Sequence, residues 1–148
     1  MTGGRTEIRS ARGLKARRDG RWAEATAALW LMAKGWRVIG FRLKTAEAEI
    51  DLLARRGRVL AVVEVKRRRS LDEALAAVAP QQRSRLRAAG AALAARRPDL
   101  GDLAVRLDLV ALGPLALGLG GLPRHLPDAW PQDLDSGVHG GVYGGARR

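Results

Sequence analysis

Apolar positions recur along this chain with two periods, and the period changes where Gly and Pro stand. Between about Arg21 and Lys34, Trp22, Thr26, Leu29 and Ala33 return at helical spacing, with Asp19 suited to an N-cap and Gly35 to a left-handed stop. Trp36 to Leu43 (WRVIGFRL), Glu49 to Arg55 (EIDLLAR) and Arg58 to Arg67 (RVLAVVEVKR) are rich in Val, Ile and Leu and predict three strands. The last two are joined at Arg56-Gly57, close enough to require an antiparallel hairpin. Leu71 to Val78 predicts a short helix. Pro80 opens a longer one to Arg97 in the position Pro tolerates, and Leu103 to Leu112 reads as a final strand.

The two ends carry no such pattern. Residues 1–20 mix six basic side chains with Gly and show no sustained period, which predicts a mobile basic arm. The last 36 residues hold nine of the 18 Gly and four of the six Pro, so 131–148 is expected to be a Gly-rich, disordered tail. Residues 21–130 are then one domain of ordinary size within a chain of 148.

Composition narrows the chemistry. The chain has no cysteine, which removes disulfides, thiolate zinc clusters and cysteine nucleophiles together. Its formal charge is +12, from 27 Lys plus Arg against 15 Asp plus Glu, and residues 1–112 carry the whole excess with 24 basic and 12 acidic side chains. Such a balance favours polyanions, nucleic acid before an acidic membrane, and no basic amphipathic helix suits the latter. No segment reads as a signal peptide or membrane span, so a soluble cytoplasmic protein is expected, with nucleic acid as partner.

Against that positive field the hairpin carries an acidic island. With Arg56-Gly57 as a two-residue turn, partner numbers sum to 113. Glu49 then lies opposite Glu64, Asp51 lies diagonal to Glu64, and Glu49, Asp51, Glu64 and Lys66 share one face. Three carboxylates gathered this way repel unless a cation intervenes, and a divalent ion with oxygen ligands is the natural one. Carboxylates that fix Mg²⁺ beside a lysine are the parts of metal-assisted phosphodiester hydrolysis. A half-buried strand emerging into solvent would produce the same residues, so both readings stand.

The ordered combination is more specific. A helix bearing Glu24, then AEIDLLA (48–54), VVEVKRRRS (62–70), VAPQQRSRLRAAG (78–90), VRLDLVAL (105–112) and RHLPDAW (124–130) resembles the YraN family of uncharacterised bacterial proteins. That family is similar to Holliday-junction resolvases in the PD-(D/E)xK superfamily. The resemblance implies an α/β fold: a three-layer α/β/α, restriction-endonuclease-like arrangement with a mixed sheet whose antiparallel hairpin carries the site. It implies catalytic roles for Asp51, Glu64, Lys66 and Glu24. Mg²⁺ or Mn²⁺ would be held by Asp51, Glu64 and Glu24, with Glu49 as a further ligand or support. It also suggests a homodimer. Ala48 stands in place of the usual Gly before Glu49, Gln82 in place of a Lys, and Phe41-Arg42-Leu43 in place of Asn-Trp-Arg.

Arg67, Arg68 and Arg69 follow Lys66 directly and are read as phosphate contacts, with Arg83 on the second long helix beside them. For the helix, with Arg85 and Arg87, an ordinary solvated stripe fits as well. Glu24 fits either the site or a solvated helix position. Arg106 and Asp108 alternate with apolar residues as a supporting pair. His125 and His139 are assigned to the surface, and Trp22, Trp30 and Trp36 to the core or its margin. The expected function is that of an Mg²⁺-dependent, endonuclease-like protein acting on branched or single-stranded DNA. The alternative is a non-catalytic DNA- or RNA-binding module that keeps the nuclease fold.

Overall fold

Among the described residues, five strands and three helices follow one another as α1 (Gly4–Ala33), β1 (Arg37–Lys44), β2 (Glu49–Arg56), β3 (Val59–Arg67), α2 (Leu71–Ala76), α3 (Pro80–Arg96), β4 (Ala104–Leu112) and β5 (Arg124–Leu126). The structure, a computed structural model, describes residues 4–113 and 121–132, with side chains from residue 11 onward. The proposed tail beyond Gln132 and His139 within it lie outside the described residues.

The sheet runs in the order β1-β2-β3-β4-β5. The first three strands form an antiparallel meander, β4 returns parallel to β3 through α2 and α3, and β5 pairs antiparallel to β4. Helices cover both faces, giving the three-layer, restriction-endonuclease-like arrangement. On one face α1 sets Ala27, Ala28 and Leu31 against Leu52, Ala54, Ala61, Val63 and Val110. On the other, Ala74 of α2 and Leu86 and Ala89 of α3 close over Leu53, Leu60, Val62, Leu107 and Leu109. α3 lies flush on the sheet because Gly90 has no side chain: a Cβ there would stand 2.4 Å from Val62 Cγ2.

β3 is the central strand, buried from Leu60 through Glu64 and flanked by β4 over its length and by β2 as far as Val63, as its unbroken apolar run requires. α2 opens on an N-cap: the Ser70 hydroxyl accepts the Glu73 N–H at 3.1 Å. Among the described residues, no helix is long and apolar enough to cross a membrane.

Three expectations change. α1 begins at Gly4, so the segment read as an irregular arm is helical and Asp19 lies inside the helix instead of capping it. The stripe of Trp22, Leu29 and Ala33 that signalled the helix faces away from the sheet, and Trp22 is 71% exposed. The face used for packing is built mainly of alanines, which register weakly as a hydrophobic pattern. The hairpin turn is Gly57-Arg58, one residue later than expected, so partner numbers sum to 115, as in Leu52 with Val63 and Arg56 with Val59.

Candidate functional site

Moving the register by two residues preserves which side chains share a face, because strand alternation has period two. It also brings the acidic pair closer. Continued one step past Leu52 and Val63, the register places Asp51 directly opposite Glu64. At this point the ladder stops, and the Val65 N–H donates to Asp51 Oδ2 at 2.8 Å.

Asp51, Glu64, Val65 and Lys66 line a cavity of about 270 Å³ with Asp19, Gly20 and Glu24 of α1 and with Arg67 and Arg68. Glu64 is buried on the central strand, at 3% exposure. Its Oε1 takes the Lys66 ammonium at 3.0 Å and a longer bond from Gln82 Nε2 at 3.4 Å. Burial pushes the Asp51 carboxyl up to about 7, and the neighbouring Glu64 charge adds to the rise against the opposing Val65 amide. Glu64 is raised too, first by burial, although Lys66 works against it. Two desolvated carboxylates pressed together are a place where a cation would relieve both burial and repulsion.

Glu24 lines the same cavity from α1, but its carboxylate is held by Arg42 Nε at 2.6 Å. Arg42 sits between Phe41 and Leu43, whose partners are Leu52 and Ile50, so it lies across from Asp51 on the edge strand. Its φ of +45° is left-handed, a conformation that a residue of this size rarely adopts. The Glu24 hydrogen bond raises its pKa, with smaller contributions from the Glu49 and Asp51 charges. Arg42 is thus a resident of the site that sequence reading passed over; its place across from Asp51 shows only once β1 is paired.

Glu49 is exposed and does not line the cavity. Among the described residues, no three His, Asp or Glu side chains are gathered into a metal cage. Glu24 is turned to Arg42 and Glu64 to Lys66.

The arginines divide into two groups. Arg67, Arg68 and Arg69 are exposed and line, with Glu73, a cleft of about 510 Å³ continuous with the end of β3. Arg83, expected at the nucleic-acid surface, donates to the Val78 carbonyl at 2.9 Å and lies over the Trp130 ring at 5.3 Å. Arg87 donates to the Trp130 carbonyl. These two tie α3 to the closing segment.

Away from the cavity, Asp108 is fully buried and bound by Arg106 at 2.7 Å, by His125 at 2.8 Å and by the Asp128 N–H at 2.9 Å. Burial alone would raise its pKa, but His125, Arg106 and the Asp128 amide together hold it below the usual carboxylate range. His125, which meets Trp36 edge-on at 5.6 Å, is therefore an interior residue and not a surface one. No local spacing signalled it, since its partner lies 17 positions earlier.

Comparison with known proteins places this arrangement. The model of a family described as "Uncharacterised protein family UPF0102" matches residues 23–112, which include Glu24, Asp51, Glu64 and Lys66 of the cavity, the sheet through β4 and both later helices. A UPF0102 protein of Caulobacter vibrioides is 61% identical over 123 residues, covering 83% of this chain and 94% of that one. One from Paramagnetospirillum magneticum is 46% identical over 122 residues, covering 80% and 91%. One from Rhizobium meliloti is 44% identical over 126 residues, covering 85% and 99%.

Proposed function

The chain belongs to the UPF0102 (YraN) family, and from the site it carries we propose that it is a divalent-metal-dependent phosphodiesterase acting on nucleic acid, branched or single-stranded DNA first. The observation that carries this reading is the pair Asp51 and Glu64. They line one cavity just past the last paired residues of the β2–β3 hairpin, both desolvated, with Lys66 beside them and three exposed arginines beginning at the next residue.

The donor set fits Mg²⁺ or Mn²⁺: hard carboxylate oxygens from two adjacent strands with the Val65 backbone between them. Asp51 and Glu64 would hold the ion, with Glu24 joining on release from Arg42. When bound, the ion supplies charge for the scissile phosphate and lowers the pKa of water. The protein's own groups do the rest. Arg67, Arg68 and Arg69 seat the phosphate backbone without reading sequence. Lys66, whose ammonium pairs with Glu64 at 3.0 Å, would stand beside the charge developing at the phosphate. The Val65 amide keeps Asp51 in one orientation throughout.

A nicking assay on branched, flapped and single-stranded DNA with Mg²⁺ or Mn²⁺ tests this, comparing wild type with Asp51→Ala and Lys66→Ala. Cleavage by the wild type alone is the expected result, and equal activity in all three would sink the assignment.

A second reading draws on the ion pairs. Arg42 already satisfies Glu24 and Lys66 satisfies Glu64, so the resting site is largely self-neutralised. A non-catalytic module binding DNA or RNA through the arginine cleft needs nothing more. It predicts salt-dependent binding that is indifferent to metal and to loss of Asp51.

A further inference from the structure

α1 is 30 residues long, about 45 Å at 1.5 Å per residue, and only its C-terminal part rests on the sheet. Residues 11–19 are exposed throughout. On the face opposite Ala27, Ala28 and Leu31, four large apolar side chains stand in water: Leu14 at 64%, Trp22 at 71%, Leu29 at 67% and Met32 at 55% exposure. With Arg18 and Ala25, both exposed, they form one stripe at positions 14, 18, 22, 25, 29 and 32. Steps of three and four residues are the spacing by which one helix packs along another.

We propose that this stripe is the interface between two copies of the chain, packed α1 against α1 in antiparallel orientation. Charge decides the orientation. Residues 11–21 carry Arg12, Lys15, Arg17, Arg18 and Arg21 against Asp19, whereas residues 22–33 carry only Glu24, which faces the cavity. A parallel pair would set the two basic halves side by side, and an antiparallel pair lays each beside the other copy's neutral half. Shape agrees. With the two-fold axis between Ala23 and Glu24, Trp22 meets Ala25 of the second copy, large against small. Leu29 meets the stem of Arg18, and Met32 meets Leu14 and Lys15. Four side chains more than half exposed present on the order of 450 Å² of apolar surface per copy, and the flanking stems carry this toward the roughly 800 Å² per partner of a standard interface. The interface leaves the cavity open, since Asp19, Gly20 and Glu24 line it from the other side of the helix.

Sedimentation of the full chain over a concentration series tests the proposal. The 15.9 kDa chain is expected to sediment at twice that mass at micromolar concentration. Leu29→Glu should weaken association by at least about 100-fold with an unchanged circular dichroism spectrum, because the residue touches nothing in its own chain's core. Orientation is read separately. The chain has no cysteine, so Ala25→Cys and Ala11→Cys each introduce a single thiol. In the antiparallel pair the two residues at position 25 lie about 4.5 Å apart along the axis and those at position 11 about 37 Å, so a short bismaleimide should link only the first. A monomer at every concentration, a dimer unmoved by Leu29→Glu, or equal cross-linking at both positions would overturn the proposal.

Discussion

Replacing Asp51 by Asn should stabilise the metal-free protein at neutral pH and above while abolishing its response to divalent metal. Asn keeps the shape, and its Oδ1 still accepts the Val65 N–H, so the substitution removes a charge and little else. The wild-type carboxyl titrates at about 7 when folded against 3.8 when unfolded. Between those values the folded state keeps a proton that the unfolded state has released, so stability falls as pH rises through that window and levels off above it. At about 1.4 kcal/mol per unit the full displacement is worth on the order of 4 kcal/mol, reduced to about 2–3 kcal/mol by the remaining solvent contact of a half-buried side chain. Thermal unfolding in EDTA should therefore show the two proteins close together near pH 4 and Asp51→Asn melting roughly 10 °C higher near pH 8. Adding Mg²⁺ or Mn²⁺ at about 100 times its dissociation constant should raise the wild type by about 2.7 kcal/mol and leave Asp51→Asn unmoved. A melting difference constant across pH, or equal stabilisation of both proteins by metal, would refute the reasoning that the carboxylate is a desolvated ligand.

Three further outcomes follow from contacts elsewhere. Arg42→Gln, which releases Glu24, should tighten Mn²⁺ binding by roughly 3- to 10-fold in a paramagnetic resonance titration, and adding Glu24→Gln should cancel the gain. Replacing Arg67, Arg68 and Arg69 together by Ala should lower DNA affinity and flatten the log-log salt dependence by about 2.7, with thermal stability unchanged because all three are exposed. Asp108→Ala leaves Arg106 and His125 without their shared partner and should cost about 3–5 kcal/mol in urea unfolding, while a DNA-binding surface formed by Arg67 to Arg69 should be unaffected in the folded fraction.

The strands were legible because they are runs of Val, Ile and Leu ended by charge, and Pro80 marked the start of the longer crossover helix. Two features were hidden for physical reasons. α1 buries alanines against the sheet and leaves Trp22 and Leu29 outside, so the apolar stripe revealed a helix but pointed to the wrong face. Its N-terminal half has too many basic residues to show any period. β5 is three residues long between Pro123 and Pro127, and what fixes it is the pairing of Val110 with His125 and the bond from His125 to Asp108, neither of which leaves a local trace. The grouping of Asp51, Glu64 and Lys66 around one cavity was legible because its logic is local. Glu64 and Lys66 are two apart on one strand, and Asp51 is tied to them by a turn whose length has only two residues to vary. That Glu49 falls outside the cavity lining and that Arg83 turns to Val78 and Trp130 could not be read from spacing, because proximity in sequence does not say which way a side chain turns.

The misplaced turn also shows what the fold protects. A register change of two residues left the acidic residues on one face and converted a diagonal pair into an opposed one; a change of one would have separated them. Nothing in the apolar pattern of β3 forbids the odd shift, because its residues from Leu60 to Val63 are buried on both faces. The constraint comes from the ends of the hairpin. At one end, Gly57 at φ +57° is a position where the chain turns in two residues. At the other, the Val65 N–H is satisfied by the Asp51 carboxylate, a bond that a one-residue slip would break. The candidate ligand is therefore also the clamp on the register. The proposed binding chemistry and the strand pairing meet in a single side chain, which is why Asn, and not Ala, is the substitution that separates them.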